Sequence, residues 1–286
     1  MPELIDLVRA ELSTPVDPRA AAMAQAIAAQ YPGSARAVLF YGSCLRETQL
    51  DGLMLDFYLI VSDYGDAYPE RWMAIANRLI PPNVFPFQHD GLIAKYAVLS
   101  EADFHRLNGP ETRNVSVWAR FAQPSRLVWA VDDTARERAA AAVARAAPSL
   151  LAAAGAIEGE APLDWWRRAF SLTYSVELRA ERNGRAQSVV DADAERYDRF
   201  SIPAMAAIPA GAGSGGWARR RLEGKAISIA RLAKASLTYA GGIDYLAWKI
   251  NRHAGTKIEI KPWQRRWPLL AALTLVPRLM KSGAIR

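Results

Sequence analysis

Four short apolar runs in the first 133 residues have the length and composition of β-strands. They are residues 36–41 (RAVLFY), 53–61 (LMLDFYLIV), 92–99 (LIAKYAVL) and 126–131 (RLVWAV). Branched and aromatic side chains fit the pleated, half-buried surface of a sheet, so runs rich in them favour strands. The second run contains one acid, Asp56, and the third contains one base, Lys95. We therefore predict a sheet that carries a single charge on each of two strands.

Helix-forming segments separate these strands and then replace them. The predicted helices are residues 18–30, 69–79, 134–154, 163–182, 191–200 and a long one from 222 onwards. Asp17 before Pro18 is a helix-start signal, because the carboxylate accepts the free amides of the first turn. Gly and Ser at 211–216 predict a loop. The chain is predicted to be α+β, with a first domain over 1–133 and a helical domain over 134–286 that ends in a basic amphipathic segment.

The composition indicates a folded protein with an anionic partner. The chain is 51% apolar and has a formal net charge of +7. This balance favours phosphates, nucleic acid or an acidic membrane surface, and a mildly basic soluble protein is the alternative. Cys44 is the sole cysteine, so a reducing cytoplasm is the expected compartment. No apolar stretch reaches the roughly 18 residues of a spanning helix, so any membrane contact is expected to be peripheral.

Asp56 lies inside a nine-residue apolar run, where an unpaired carboxylate is unfavourable. Removing such an ion from water costs several kcal/mol, so it needs a compensating partner. Mg²⁺ is one such partner, because it binds through one or two carboxylates together with substrate phosphates. Asp56 is therefore a candidate Mg²⁺ ligand. The alternative is a simple hairpin in which Asp56 faces solvent at the end of a strand.

A Gly42-Ser43 turn precedes Asp56 and lies between the first two predicted strands. Glycine lets a phosphate approach the backbone, and the serine hydroxyl can donate to it. Lys95 either neutralises phosphate charge or points outward from an edge strand. The turn and the acid-bearing strand together predict the arrangement by which polymerase-β-type nucleotidyltransferases hold a triphosphate over a metal.

Five separated segments carry a resemblance to a known family. They are Tyr41-Gly42-Ser43 (YGS), residues 54–57 (MLDF), 91–100 (GLIAKYAVLS), 119–121 (ARF) with Pro124, and 172–179 (LTYSVELR). In this order they resemble motifs of the mitochondrial-type CDP-diacylglycerol synthases, also called the phosphatidate cytidylyltransferase or translocator-maintenance family. The resemblance spans roughly residues 38–180, with a weaker similarity in the basic helix after Lys225.

This resemblance implies a polymerase-β-type nucleotidyltransferase domain with a mixed sheet. It also implies phospholipid biosynthesis by Mg²⁺-dependent transfer of CMP from CTP to phosphatidic acid, giving CDP-diacylglycerol and pyrophosphate. The implied catalytic residues are Asp56, Lys95 and Glu177, of which Asp56 and Glu177 would bind the metal. The implied nucleotide-binding residues are Tyr41, Gly42, Ser43, Lys95 and Arg120. The acceptor phosphate would contact Arg120 and Arg179.

Three positions depart from the family pattern and keep alternatives open. Cys44 replaces a glycine, Gln123 replaces a lysine, and Tyr58 stands where a second metal-binding acid is expected. Asp51 or Glu177 could supply that acid, and the resemblance favours Glu177. The alternative functions are nucleotidyl transfer to a soluble acceptor and a catalytically inactive nucleotidyltransferase fold that binds lipid or acts as a scaffold.

Residues 219–286 mix Lys and Arg with large apolar side chains, including Trp248, Trp263 and Trp267. Polybasic segments gain about 1 kcal/mol per cation near an anionic leaflet, and tryptophan anchors at headgroup depth. The segment therefore predicts peripheral binding to the inner, cytoplasmic face of a membrane. The alternative is that Leu246 and Trp248 are core residues and the cations keep a helix soluble. Nucleic acid is not expected as a partner, because no aromatic and basic strand motif for RNA is present.

Overall fold

The computed structural model of the protein describes residues 3–46, 49–176, 189–238 and 261–262. Within them one sheet is formed by the strands Ala35–Tyr41 (β1), Met54–Val61 (β2), Asn83–His89 (β3), Leu92–Ser100 (β4) and Ser125–Ala130 (β5). The strand order is β3-β4-β2-β1-β5. Strands β2 and β4 are parallel, and the other neighbouring pairs are antiparallel. The four predicted strands are confirmed, and the fold is α+β with a mixed sheet.

Strand β3 is absent from the sequence prediction because its sequence, NVFPFQH, is interrupted by Pro86. Proline cannot donate to a strand ladder, so it is confined to positions such as edge strands, and β3 is an edge strand. The turn between β3 and β4 contains Asp90 and Gly91, with φ angles of 46° and 75°. An Asp-Gly pair between apolar runs favours a two-residue hairpin. That dipeptide is the signal from which β3 could have been predicted.

Both faces of the sheet are buried, because alternate residues of its strands join two separate apolar clusters. On β2, Tyr58 and Ile60 belong to one cluster, whereas Phe57 and Leu59 belong to the other. This alternation follows from the period of two along a strand. Asp56 lies on the same side of β2 as Tyr58, and so at the edge of the first cluster.

Helices cover both of these faces. They are Leu4–Leu12 (α1), Pro18–Ala29 (α2), Tyr64–Ala67 (α3), Arg71–Leu79 (α4), Glu101–Asn108 (α5), Trp118–Phe121 (α6), Asp133–Ala144 (α7), Ala146–Ala154 (α8), Pro162–Tyr174 (α9), Ala194–Ala206 (α10) and Trp217–Thr238 (α11). Helices α1 and α5 to α10 contribute to the first cluster, and α2 to α4 contribute to the second. None of these helices combines the length and the apolar character needed to cross a bilayer.

Helix α2 begins as predicted, since the Asp17 carboxylate accepts a hydrogen bond from the Arg19 backbone N–H at 2.8 Å. The single helix predicted over 134–154 is wrong, because the structure has two helices that meet at Arg145. Pro148 lies in the first turn of α8, where it lacks an N–H and its ring clashes with a preceding helical turn. A helix break just before this proline is the physical consequence.

The other predicted helices are present with shifted ends. The helix predicted over 191–200 is Ala194–Ala206, and the one predicted from 222 begins at Trp217. The loop predicted at 211–216 contains no helix or strand. Helix α9 ends at Tyr174, and the rest of the segment predicted to continue to residue 182 lies largely outside the described residues.

The domain boundary predicted after residue 133 lies at the first residues of α7. One apolar cluster crosses this boundary, since Leu39 and Tyr58 of the sheet belong to it together with Leu150 and Phe170 of the helices. The sheet and the described helices therefore share a core. The division into two domains stays a prediction.

A buried ion pair fixes the N-terminal helix to α10. The side chains of Arg196 and Glu11 are 5% and 8% exposed, and Arg196 Nη2 donates to Glu11 Oε1 at 3.0 Å. Arg196 Nη1 donates to the Ala122 carbonyl at 3.0 Å, and Glu11 Oε1 also accepts from the Ser125 N–H at 3.4 Å. Helices α1 and α10 and the start of β5 are thereby joined at one point.

Candidate active site

Asp56 lies where β1 ends in a glycine turn. The pairing of β1 with β2 places Tyr41 opposite Asp56, and Gly42 follows with a φ of 93°. A Cβ built at Gly42 would lie 3.3 Å from Asp56 Oδ2, so the glycine keeps open the space that the carboxylate borders. Ser43 is exposed and begins a short 3-10 turn. The structure thus brings Gly42, Ser43 and Asp56 to one end of the sheet.

Lys95 is the charged partner of Asp56. The two residues are directly paired on the parallel strands β2 and β4. Lys95 Nζ lies 2.9 Å from Asp56 Oδ1, and the two side chains are 26% and 23% exposed. Oδ1 is nevertheless a buried oxygen that accepts no well-aligned hydrogen bond within the described part of the chain, so the contact is an ion pair without hydrogen-bond geometry. The lysine supplies the compensating charge that a buried acid needs.

Neither the Tyr58 position nor Asp51 supplies the second acid expected near Asp56. Tyr58 is 2% exposed, and its ring packs 5.1 Å from the ring of Phe121. Asp51 is at the surface, where its carboxylate lies 3.1 Å from the Arg19 guanidinium. Glu177, the other acid that could supply it, lies outside the described residues. Among the described residues, Asp56 is therefore the carboxylate that borders the Gly42 turn.

Several other predicted residues either lie outside the described part of the chain or have structural partners. Arg179 and the tryptophans of the basic tail are outside it. The Cys44 thiol is buried and donates to the Met54 carbonyl at 3.4 Å. Gln123 Nε2 donates to the Ala119 carbonyl at 2.8 Å. This side chain therefore provides a hydrogen-bond donor for a backbone carbonyl of the short helix α6.

A small basic cleft opens beside Lys95 on the same face of the sheet. Its volume is about 120 Å³, and its lining includes the four cations Lys95, Arg120, Arg231 and Lys234. Whole-ligand pockets typically enclose roughly 300–1,000 Å³, so this cleft suits one phosphate-sized group. Arg120, which was predicted from the sequence, stands in α6 and donates to the Ser116 carbonyl one turn earlier.

Arg231 and Lys234 of α11 are cleft residues that sequence reasoning did not single out. Arg231 Nε donates to the Pro81 carbonyl and Nη1 donates to Ser116 Oγ, both at 2.8 Å. Lys234 Nζ donates to the Pro82 carbonyl at 2.9 Å and also to that of Ile80. Their spacing of three residues places both cations on one face of a helix. This spacing could have indicated from the sequence that the two cations act together. It does not indicate which part of the protein that face of the helix packs against.

Lys234 has an unusual protonation equilibrium for a lysine. Burial first, and then the nearby Arg231 guanidinium, lower the pKa of Lys234 to about 7. The two carbonyl oxygens that Nζ contacts favour the ammonium form and act in the opposite direction. Arg231 and the buried Lys234 thus place like charges beside each other in the lining of one cleft, where a bound anion would stabilise them.

A Mg²⁺ ion fits this site only as a partner of one protein carboxylate. Over residues 3–46, 49–176, 189–238 and 261–262, no cluster of three or more metal-binding side chains is present. Mg²⁺ commonly binds one or two carboxylates together with waters and substrate phosphates. The buried Asp56 Oδ1 without an aligned donor is compatible with such a ligand set.

No protein-family model matches the chain, and no curated protein matches it either. The family suggested by the five motif segments therefore stays a prediction. The arrangement of Gly42, Asp56 and Lys95 is the independent observation from which a function can be argued.

Proposed function

We propose that this protein is a nucleotidyltransferase of the polymerase-β type that moves CMP from CTP to phosphatidic acid. The observation that supports it is the position of the Asp56 carboxylate, beside the side-chain-free turn at Gly42 and 2.9 Å from Lys95. Nucleotidyl transfer needs a ligand for a cation, a charge that neutralises phosphate, and room for phosphate to approach. These three parts lie together at one end of the mixed sheet. The motif resemblance supplies the identity of the two substrates.

The proposed reaction joins two phosphates without a strong base. A non-bridging oxygen of the phosphatidic acid phosphate attacks the α-phosphorus of CTP in line and forms a new P–O bond. The bond from the α-phosphorus to the oxygen that bridges it to the β-phosphate breaks, and pyrophosphate leaves with that electron pair. A phosphate monoester is already ionised near neutral pH, so no side chain has to remove a proton before the attack.

The chain contributes position and charge to this reaction. Gly42 leaves the backbone open to a phosphate, and the Lys95 ammonium binds phosphate oxygens. Mg²⁺ held by Asp56, when bound, would offset the negative charge that grows on the leaving pyrophosphate. In the free protein Lys95 and Asp56 neutralise each other, so CTP and Mg²⁺ would each take one member of the pair.

The basic cleft is the proposed site of the acceptor phosphate. Its volume of about 120 Å³ suits a single phosphate group, and Arg120, Arg231 and Lys234 line it beside Lys95. Arg179 would add a further contact to the acceptor phosphate, and Glu177 would be the second metal ligand. These last two roles rest on the motif resemblance.

A lipid acceptor implies contact with an anionic membrane. We infer that the basic segment from residue 219 to the C-terminus contributes to that contact on the inner, cytoplasmic face. Arg231 and Lys234 are not part of it, because both bind backbone carbonyls of the Ile80–Pro82 segment. Arg220 is likewise excluded, because it donates to the Arg113 carbonyl at 3.0 Å, and other cations of the segment are the ones that a headgroup layer would attract.

A catalytically inactive fold that binds lipid is the second candidate. Two observations favour it: Tyr58 fills the position of the second acid with a buried ring, and Lys95 already neutralises Asp56. Such a protein would keep the phosphate cleft without turning over CTP. Calorimetry with CTP and Mg²⁺ separates the two candidates, because the inactive fold is expected to bind neither in a way that depends on Asp56.

The direct test is release of pyrophosphate from CTP in the presence of Mg²⁺ and vesicles that contain phosphatidic acid. Asp56→Asn is expected to lower kcat by about 100-fold or more, the usual loss when a group that stabilises transition-state charge is removed. Asp51→Asn is the matched control, since this carboxylate lies just before β2 but at the surface. It is expected to leave the rate unchanged.

Two results would count against the proposal. One is an Asp56→Asn variant that remains folded and keeps the full rate. The other is a wild-type protein that releases no pyrophosphate with any lipid phosphate. Turnover with soluble glycerol 3-phosphate in place of phosphatidic acid would support nucleotidyl transfer but replace the lipid with a soluble acceptor.

A further inference from the structure

Helix α4 exposes three large apolar side chains on one face. Trp72, Ile75 and Leu79 are 47%, 55% and 74% exposed. Their spacing of three and four residues aligns them along one side of the helix, so they form a continuous stripe. Single exposed apolar residues are common on protein surfaces, whereas a contiguous apolar patch is a candidate contact surface.

The opposite face of α4 anchors the helix without the help of this stripe. Ala74 and Asn77 are 8% and 0% exposed. Asn77 Nδ2 donates to the Val98 carbonyl at 2.9 Å and to the Tyr68 hydroxyl at 3.2 Å. An ordinary surface helix buries its large apolar residues, whereas α4 buries Ala74, packs Met73 partly against the core and exposes its other three large apolar residues. Within the described part of the chain, the stripe is therefore not used to build the core.

The charges on α4 favour an anionic partner. The helix contains two arginines, Arg71 and Arg78, and no acid, and both arginines are exposed. At 100° per residue they lie about 40° and 60° from Ile75, along one edge of the stripe. Arg78 approaches Asp63 at 3.3 Å, but both side chains are more than half exposed. Such surface pairs are weak, so the pair leaves Arg78 able to exchange partners.

The stripe is also connected to the basic cleft by a very short segment. Pro82, which lines the cleft, follows Leu79 by three residues. Three residues span at most about 11 Å, so the backbones of Leu79 and Pro82 lie within that distance of each other. Lys234 holds this segment through the Ile80 and Pro82 carbonyls. The segment that follows the stripe is thus fixed to α11 at the basic cleft.

We propose that α4 is a membrane-docking helix that lies in the headgroup layer of an anionic phospholipid bilayer. Trp72, Ile75 and Leu79 enter the boundary between headgroups and acyl chains, and Arg71 and Arg78 bind lipid phosphates at its edge. Interfacial helices have this composition, with aromatic and aliphatic residues on one side and cations beside them. This docking does not depend on nucleotidyl transfer, since an inactive protein would bind the membrane in the same way.

Vesicle flotation tests the docking helix with the full chain. The probes are vesicles of phosphatidylcholine alone and of phosphatidylcholine mixed with phosphatidylglycerol, which is not the proposed acceptor. Ile75→Gln/Leu79→Gln is expected to lower partitioning onto the mixed vesicles by about tenfold per residue, because glutamine keeps helix propensity but not apolar area. Ile157→Gln/Ile202→Gln is the control, since these residues are 56% and 55% exposed elsewhere on the surface. It is expected to leave partitioning unchanged.

The cationic edge has its own readout. Arg71→Gln/Arg78→Gln is expected to weaken binding to the mixed vesicles by about fivefold per arginine and to leave the weak binding to pure phosphatidylcholine unchanged. Arg136→Gln is the control, because Arg136 is about half exposed on α7. A loss of the same size with both kinds of vesicle would overturn the role given to the arginines.

A site-specific label separates membrane contact from other partners of the stripe. Cys44 is buried, so an environment-sensitive dye attached to Ile75→Cys reports on the stripe, with Ile202→Cys as its control. A blue shift at position 75 alone, on mixed vesicles, is the expected result. The proposal is overturned if the dye stays in water, or if the chain forms a dimer that Ile75→Gln/Leu79→Gln dissociates, since the stripe then contacts a second copy. Vesicle binding without pyrophosphate release would retain the docking helix and reject the transferase.

Discussion

The Lys95 ammonium and the Asp56 carboxylate lie 2.9 Å apart at directly paired positions of two parallel strands. Strand register sends both side chains to the same face of the sheet, so the pair is fixed by the backbone. Each side chain is about one quarter exposed, which leaves part of the pair screened by water. A substitution at either position therefore changes the charge of the pair while the backbone keeps the other side chain in place.

Removal of one member of this pair is expected to be worse than removal of both. Lys95→Met leaves the Asp56 carboxylate without its partner, and we expect a loss of about 1–2 kcal/mol in the free energy of unfolding after allowing for solvent screening. Lys95→Met/Asp56→Asn should recover part of that loss. Urea unfolding of Lys95→Met, of Asp56→Asn and of the double variant gives the coupling energy between the two charges. Strictly additive effects would show that the two charges do not stabilise each other.

Gly42 is expected to be intolerant of any side chain for two separable reasons. Its φ of 93° strains an alanine, and the new Cβ would press on Asp56 Oδ2 at 3.3 Å. Gly52→Ala provides the control, because Gly52 has a φ of 76° and open space around its Cβ position. The strain alone is expected to cost about 1–2 kcal/mol in both variants.

CTP binding distinguishes these two glycine variants. Gly42→Ala narrows the space in which a phosphate would approach the backbone, so its affinity for CTP should fall well beyond that of Gly52→Ala. Calorimetric titration at a temperature where both variants are folded measures the difference. Equal CTP affinities would remove Gly42 from the nucleotide site and leave it as a conformational requirement of the turn.

The embedded charges and the glycine turn could be predicted from the sequence, whereas their partners could not. An acid within an apolar strand indicates that a compensating cation lies nearby. The sequence alone does not decide whether that cation is Lys95 or a metal. Only the parallel pairing of β2 with β4 selects the lysine. In the same way, the sequence predicts a helix over 69–79 but not which of its faces is buried. The hydrogen bonds of the buried Asn77 side chain fix that face in the structure.

The buried pair of Glu11 and Arg196 shows the same limit at long range. The two residues are separated by most of the chain, so no local pattern pairs them. We expect Glu11→Gln to lower the free energy of unfolding by about 3 kcal/mol, because it leaves a buried guanidinium without a counter-charge. Glu137→Gln is the control, since its pair with Arg9 is about half exposed and should contribute less than about 1 kcal/mol. Thermal and urea unfolding measure both variants. Equal losses of stability in Glu11→Gln and Glu137→Gln would contradict the greater contribution expected of the buried pair.

Lys234 should make stability depend on pH above neutrality. Its pKa is about 7 in the folded protein, below the ordinary lysine value of 10.5. Between these values the unfolded chain binds a proton that the folded chain does not, so the free energy of unfolding rises with pH by up to about 1.4 kcal/mol per unit. Below pH 7 the amine is charged in both states, so its burial lowers the free energy of unfolding by the full amount and the dependence on pH ends. Urea unfolding from pH 6 to 10 should show this rise in wild type and in Lys225→Met, but not in Lys234→Met. An unchanged profile in Lys234→Met would mean that the Ile80 and Pro82 carbonyls keep the amine charged throughout.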